Sequence, residues 1–153
     1  MDLVGRKLPM RMGGVVNDYL ARMRDTQAEL AAAGGELEVI ATNLAAGIDV
    51  LEGATNWILT NGLGNPKAAL AGATPYLRIF GIVTGGWLLG RQALAATAEL
   101  AGGSSDEAYL RAKVTTARYY AEQHLPQAAG LVPAVQAGEG DLYAVDADSL
   151  ASV

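Results

Sequence analysis

Cysteine is absent from the 153 residues, and histidine occurs once, as His124. The absence of cysteine excludes disulfide scaffolds, thiolate metal sites and cysteine nucleophiles. A single histidine excludes histidine-rich metal sites and leaves one candidate base for any Ser-His-Asp arrangement. Basic residues are also in the minority, with 11 Lys and Arg against 16 Asp and Glu and a net charge of −5. This balance predicts no nucleic-acid partner, because nucleic-acid binding needs a basic stripe.

The chain also lacks an apolar run long enough to cross a bilayer. Its longest uncharged apolar stretch has 12 residues, 79–90, between Arg78 and Arg91, whereas a spanning helix needs about 20. Residues 1–10 contain charged side chains and no apolar segment typical of a signal peptide. We therefore expect a cytoplasmic chain without a membrane partner, and the net negative charge also disfavours binding to a membrane surface.

Helical periodicity runs along nearly the whole length of the sequence. Apolar residues recur at spacings of three and four, which places each series on one face of a helix. The four series are Val16, Tyr19, Leu20, Met23 and Leu30; Leu37, Ala41, Leu44, Ile48, Leu51, Thr55 and Ile58; Leu77, Phe80, Val83, Trp87, Leu88, Arg91, Leu94 and Ala98; and Leu110, Val114, Ala117, Ala121, Leu125, Ala128, Val132 and Val135. No segment has the alternating pattern of a strand. The sequence predicts an all-α fold, an antiparallel up-down bundle of four long helices in one domain.

Capping residues indicate where some of these helices begin. Asn65-Pro66 predicts an N-cap followed by proline at the first helical position. Thr74-Pro75 predicts a second start, so that a short helix at about 66–73 precedes the third series. Ser104, with Glu107 three residues later, fits a capping box at the start of the fourth helix.

Two prolines lie inside the fourth series, Pro126 and Pro133. Each removes a backbone donor and crowds the preceding turn, so we expect the last helix to be kinked. The expected organisation is a linker at 1–12, the helical bundle at 13–138 and a short acidic tail at 139–153. We expect the tail to lie along the bundle through its apolar residues Leu142, Tyr143 and Leu150, or else to fray.

Four glycines lie in the most apolar series, Gly81, Gly85, Gly86 and Gly90. Glycine inside a helix costs about 1 kcal/mol relative to alanine. We therefore expect these positions to allow the close approach of a second backbone, within the core or between subunits.

None of the candidate catalytic or binding residues forms a recognisable motif. His124 has no serine in a strand-turn-helix elbow to activate, and we expect it to be half-buried or on the surface. Glu52 lies within the second series, which predicts a solvent-facing helical position rather than a catalytic carboxylate. No GxGxxG or GxxxxGK motif is present to bind a phosphate.

The N-terminal fifth contains the one basic cluster in the sequence. A solvated face is the simpler interpretation of this cluster. Contact with an anion, such as a phosphate of a nucleotide bound in a larger protein, is the alternative. The cluster comprises Arg6, Lys7, Arg11, Arg22 and Arg24.

Nearly the whole chain resembles part of a known enzyme family. Residues 2–9, DLVGRKLP, followed by Gly13-Gly14, are similar to the segment after the catalytic-loop motif of long bacterial acyl-CoA dehydrogenases. The later blocks resemble the extra helical domain at the C-terminus of those enzymes, and none of the blocks is catalytic. These blocks are ATPYL at 73–77, FGIV at 80–83, Gly86-Trp87, KVTTARYY at 113–120 and Leu125-Pro126.

The resemblance implies a flavoprotein parent that oxidises an acyl-CoA thioester to the α,β-enoyl form. In that family a glutamate abstracts the α-proton while flavin N5 accepts hydride from the β-carbon. The glutamate belongs to a Tyr-Glu-Gly-Thr type of motif, expected shortly before Asp2 and absent here. Glu52-Gly53 lies too far along the chain to replace it. Arg6 is the position that the resemblance places near the catalytic loop.

The resemblance therefore implies a C-terminal piece of such an enzyme, inactive alone. It implies no catalytic, cofactor-binding or metal-binding residue in this chain, with FAD held by the parent. The expected partner is the catalytic portion of the parent, in a homo-oligomer to which this domain adds packing and subunit contacts. The alternative is a stand-alone helical module for oligomerisation or protein interaction.

Overall fold

A computed structural model of the chain describes residues 1–151, and all regular structure in them is helical. The described residues form seven α-helices: α1 Gly14–Ala33, α2 Glu38–Gly64, α3 Pro66–Ala71, α4 Ala73–Ala101, α5 Glu107–Gln123, α6 Val132–Gln136 and α7 Ala147–Leu150. A π turn covers Leu3–Lys7, and 3-10 segments cover Met10–Gly13, Gly35–Leu37, Leu125–Leu131 and Asp141–Tyr143. The predicted all-α class is confirmed over this part of the chain.

The long helices α2 and α4 form the centre of the fold, and α1 and α5 pack against both. Thr55 in the second half of α2 is bonded to Tyr76 near the start of α4. Ile40 near the start of α2 lies beside Gly90, further along α4. These two contacts show that α2 and α4 run in opposite directions. The plain four-helix bundle is nevertheless not confirmed, because short helices and 3-10 segments make up the rest of the described fold.

Burial follows the predicted faces of α2 and α5 closely. All seven positions of the second series are buried, from Leu37 to Ile58. The fourth series is buried too, apart from the half-buried Val132. In each of these helices one apolar stripe faces the core and polar residues occupy the opposite side, so the period selects the buried face.

The buried face of α4 differs from the predicted one. Leu77, Leu88, Arg91 and Ala98 are exposed. The helix is apolar on nearly every side, so its period does not identify one face. Packing against three neighbouring helices selects the face instead, and the buried positions are Ala73, Tyr76, Ile79, Val83, Gly86, Trp87, Gly90, Ala93 and Ala96.

The single kinked last helix is not confirmed either. The α-helix ends at Gln123, the 3-10 segment Leu125–Leu131 follows with Pro126 in its first turn, and α6 begins beside Pro133. Proline has no N–H to continue the helical bonds, and its ring crowds the carbonyl of the preceding turn. The two prolines therefore break this segment into separate pieces.

Asn65 caps α3 as predicted, since its side-chain oxygen accepts the N–H of Ala68 at 3.2 Å. The division into a short helix and a long one is also confirmed. The predicted N-cap at Thr74 is wrong, because α4 already begins at Ala73 with Gly72 before it.

The predicted capping box at the start of α5 is wrong. Asp106 takes the N-cap position, and its N–H donates to the Ser104 hydroxyl at 3.3 Å. Glu107 is not available to close the box, because it pairs with Arg111 one turn along the helix.

Three of the four glycines of α4 accommodate side chains rather than a second backbone, which corrects the prediction of backbone contact within the core. Contact between subunits at these glycines stays a prediction. Gly81 is exposed and has no neighbour within 4 Å of an added Cβ. At the other three, an added Cβ would lie 2.6 Å from Tyr120 Oη (Gly85), 2.6 Å from Leu125 Cδ2 (Gly86) and 2.9 Å from Leu30 Cδ1 (Gly90).

A close backbone approach does occur at Gly72, between α3 and α4. A Cβ there would lie 2.5 Å from the carbonyl oxygen of Val135 in α6, and Val135 is fully buried. Helix α6 therefore packs directly against the junction between α3 and α4.

The N-terminal segment and the first residues of the tail lie at the end of the bundle where α2 stops and α3 begins. Near the N-terminus Val4 and Leu8 are buried. In the tail, Glu139 accepts a bond from Asn65 at 2.7 Å and the ring of Tyr143 faces Lys67 at 5.2 Å. Leu142, Tyr143 and Leu150 are exposed, so the tail does not lie along the bundle through these apolar side chains. The other expectation, that the tail frays, stays a prediction. Residues 152 and 153 of the predicted tail lie outside the described residues.

One described helix, α4, could cross a membrane by length and composition alone, with a mean hydropathy of 1.2 over its most apolar window. Of that window 39% is buried inside the fold. A helix at the centre of a bundle meets the same criterion, so the absence of a membrane partner stays a prediction.

Candidate functional site

The basic residues of the N-terminal fifth are engaged largely with carboxylates of the same chain. Arg6 donates to Asp2 at 2.6 Å, and Lys7 lies 3.5 Å from the same carboxylate. The bond from Arg6 lowers the pKa of Asp2. Arg11 pairs with Asp18 across the start of α1. These pairs are exposed and fit the predicted solvated face. Among the residues that the structure describes, Arg6 forms an ion pair with Asp2 alone.

Arg24 lies at the centre of the one ion-pair network in the described residues that joins α1 to α2. Its guanidinium donates to Asp49 and, at 3.1 Å, to Glu52. Partial burial lowers the pKa of Arg24, but the bonds to the two carboxylates outweigh burial and the net pKa is raised. Glu52 is exposed on α2, as predicted, and its carboxylate ties two helices together.

Arg22, the remaining member of the basic cluster, is exposed on α1. An exposed position on a helix fits the solvated-face interpretation of the cluster.

His124 directly follows the last residue of α5 and lies in a small aromatic cluster. Its ring lies 4.8 Å from the ring of Tyr120 and 5.9 Å from that of Tyr119. The Tyr120 hydroxyl donates to the Ile82 carbonyl on α4 at 3.1 Å, and burial raises the pKa of Tyr120. His124 is half-buried, as predicted, and its neighbours are those of a packing residue.

Two buried hydrogen bonds between side chains were not foreseen from the sequence. Thr55 and Tyr76 meet at 2.7 Å between α2 and α4. Trp87 Nε1 donates to the Thr26 hydroxyl at 2.8 Å between α4 and α1. Thr55 could have been noticed, because a hydroxyl at a buried position of a regular apolar series needs a partner.

Two concave regions stand out on the described surface. A cleft of about 430 Å³ opens beside the α1–α2 connection, lined by Gly34, Leu37, Leu100 and Val114, and Arg111 lies on its wall. Arg111 is engaged with Glu107 at 2.7 Å. A groove of about 310 Å³ lies at the opposite end of the bundle, lined chiefly by apolar residues, namely Val4, Pro9, Ile58, Leu59, Leu63 and Leu70.

Neither concave region offers an unpaired arginine side chain for the diphosphate of a flavin cofactor. FAD needs donors for its diphosphate, typically free backbone N–H groups at a helix start or an unpaired arginine. The arginine of the cleft is already paired, and the groove is mainly apolar. Among the described residues no group of three or more His, Cys, Asp or Glu side chains could hold a metal ion.

A family model described as "Acetyl-CoA dehydrogenase C-terminal like" matches residues 19–146. This chain is a C-terminal region of the acyl-CoA dehydrogenase family. It is also 36% identical, over 124 residues, to 3-methylmercaptopropionyl-CoA dehydrogenase of Ruegeria pomeroyi. That similarity covers 81% of this chain but 21% of the relative, so the chain corresponds to about a fifth of the relative's length. The resemblance drawn from the sequence blocks is confirmed at the level of the family.

Proposed function

We propose that this acyl-CoA dehydrogenase region is a packing and subunit-contact domain without a catalytic site of its own. In the intact parent, FAD and the proton-abstracting glutamate lie in the other part of the protein. The parent's reaction is the α,β-dehydrogenation of an acyl-CoA thioester in the cytoplasm. The long helices α1, α2, α4 and α5 act as an up-down bundle that supports the catalytic part within a homo-oligomer.

The family match is the observation on which this proposal rests. The match takes in α1 from Tyr19 onward and every later helix up to the tail. The relative that shares 36% identity is named for an acyl-CoA substrate, which supports the proposed substrate class.

The use of charged groups within the domain supports the packing role. A catalytic carboxylate or a phosphate-binding arginine must keep its polar atoms available to the substrate. Here Glu52, Arg6, Arg11 and Arg24 are engaged with one another or with neighbouring acids in exposed ion pairs. The aromatic hydroxyl of Tyr76 is likewise directed to Thr55 inside the core.

The proposal is tested by assaying the chain alone and with the catalytic portion of its dehydrogenase. Flavin content is read from absorbance, and turnover from acyl-CoA-dependent reduction of an artificial electron acceptor. We expect the chain alone to carry no flavin and to show no turnover. We expect the catalytic portion to retain flavin longer on heating when the chain is present.

Stoichiometric flavin or turnover in the isolated chain would show that it has a catalytic site. Identical flavin retention with and without the chain would exclude the packing role. In that case the alternative, a stand-alone module for oligomerisation or protein interaction, would account better for the apolar surface described next.

A further inference from the structure

Exposed apolar side chains concentrate at the end of the bundle where α2 stops and α3 begins. Met12 is 97% exposed and Leu63 is 90% exposed, the highest values among the large apolar residues of the described chain. Met10 lies in the same turn as Met12 and is 48% exposed. Monomeric proteins rarely expose contiguous apolar area of this kind unless it binds something. Gly13, which follows Met12, lies against the groove, because a Cβ added there would be 3.1 Å from Leu59 Cδ1. We call the 310 Å³ groove beside Leu63, together with the neighbouring Met10 and Met12, the end face.

The groove gives the end face a concave centre. Val4 and Pro9 from the N-terminal segment form one wall, and Leu59, Leu63 and Leu70 form the other. Its lining is mainly apolar and has no buried ion pair. A groove with this lining is better suited to bind an apolar side chain or a short apolar segment of another folded domain than to bind a charged ligand.

The backbone holds Met12 outward in an unfavourable conformation. Arg11 and Met12 have φ values of 50° and 54°, the only positive values at non-glycine residues in the described chain. Gly13 follows with φ of 87°. L-residues avoid this region, and such conformations tend to persist where a function depends on them. This strained turn exposes the apolar side chain of Met12 to solvent. Because such strain is retained where it serves a function, we expect Met12 to be buried against a partner in the intact protein.

The size of the family relative indicates what covers it. This chain corresponds to 21% of that relative's length, so most of a dehydrogenase of that size lies outside it. The matching model describes a C-terminal region, which in the proposed parent places the catalytic part before residue 1. Val4, Gly5 and Pro9 of the N-terminal segment line the groove, so this surface is the one next to the part of the chain that would join the catalytic portion.

We infer that the end face is the surface on which the catalytic portion of the dehydrogenase docks, inserting an apolar side chain into the groove beside Leu63. This inference rests on the proposed function, because it takes the catalytic portion as the partner. It goes beyond the proposed function by identifying which of the exposed surfaces contacts the catalytic portion. The competing surface is the outer stripe of α4, where Leu77 and Leu88 are 57% and 44% exposed.

Charge substitutions on the two surfaces test the inference. Leu63→Asp and Met12→Asp place a carboxylate on the end face, and Leu88→Asp places the same group on α4 as the matched control. All three positions are exposed, and aspartate tolerates the left-handed conformation at Met12. Binding to the catalytic portion is measured by calorimetry, and folding of each variant by circular dichroism and thermal unfolding.

We expect Leu63→Asp and Met12→Asp each to weaken binding at least about tenfold, as burial of a charge at an apolar contact does. Leu88→Asp should bind as the wild type does. If the end-face variants bind normally while Leu88→Asp does not, docking occurs on α4 and the inference is wrong. The same conclusion follows if none of the three weakens binding.

Two further outcomes are distinguishable. If the wild-type chain does not bind the catalytic portion at all, the proposed packing role fails, and the inference fails with it. If the wild-type chain instead forms a dimer that Leu63→Asp dissociates in sedimentation experiments, the end face accepts a second copy, which overturns the choice of partner.

Discussion

Thr55 and Tyr76 illustrate how two polar groups are tolerated at the centre of an apolar core. The Thr55 hydroxyl donates to the Leu51 carbonyl at 2.7 Å. Since threonine has one hydroxyl proton, the Tyr76 hydroxyl is the donor in the 2.7 Å contact between the two side chains. Thr55 is therefore satisfied without Tyr76, whereas Tyr76 depends on Thr55.

This asymmetry predicts that removing one hydroxyl lowers the free energy of unfolding more than removing the other. Thr55→Val should lower the free energy of unfolding by about 1–3 kcal/mol, because it leaves a buried tyrosine donor without a partner. Tyr76→Phe should cost about 1 kcal/mol or less, because Thr55 keeps its backbone acceptor. Urea unfolding of both variants measures the difference. Equal costs would show that the two hydroxyls depend on each other equally.

The same tyrosine predicts a loss of stability at alkaline pH. Burial raises the pKa of Tyr76 from 10.0 to about 12. The unfolded chain loses this proton near pH 10, while the folded chain keeps it until about pH 12. The contribution to stability is thus complete below pH 10 and is lost as pH rises to 12. In urea unfolding, this decline should be smaller in Tyr76→Phe than in the wild type; equal declines would contradict it.

At the scale of a single helix, α4 offers a matched pair of glycines. Gly86→Ala should destabilise the fold by about 1–3 kcal/mol, since its Cβ would meet Leu125 at 2.6 Å. Gly81 faces open space on the same helix, so Gly81→Ala should stabilise by about 0.5–1 kcal/mol through helix propensity. Thermal unfolding of the two variants should shift in opposite directions. A parallel shift would mean that α4 adjusts its position to admit the extra methyl group.

The helices differ in how far their own sequences determine which face is buried. The apolar stripe of α2 identifies its buried face because polar residues such as Glu52 and Asp49 occupy the other side. The face of α4 depends on where Tyr120 and Leu125 arrive from another part of the chain. That information is absent from any local pattern. The prolines after α5 indicate a disturbed helix, but the sequence does not say whether they kink it or divide it into the 3-10 segment and α6.

For the molecule as a whole, exposed ion pairs contribute little to stability. The charged side chains of the pairs found in the described residues are between 36% and 70% exposed. Pairs of this kind are worth about 0–1 kcal/mol each and are screened by salt. Raising the ionic strength from low salt to about 0.15 M should therefore change the free energy of unfolding by less than about 1 kcal/mol. A larger loss would indicate that Arg24 and its acidic partners hold α1 in place.

The candidate surfaces were only partly visible in the sequence. The positions of His124 and Glu52 follow from local helical patterns, and both predictions are confirmed. The end face brings together residues from the N-terminal segment, the end of α2 and α3. No local pattern marks Leu63 or Met12 as exposed, because exposure depends on which segments fold over them.

The contact between Gly72 and Val135 has a consequence for synthesis on the ribosome. The carbonyl of Val135 fills the space above Gly72, and Val135 is among the last buried residues to be translated. Until it leaves the exit tunnel, the junction of α3 and α4 has no cover, and the nascent domain cannot complete its native packing. Ribosomal pausing before that codon would thus prolong an incompletely closed state.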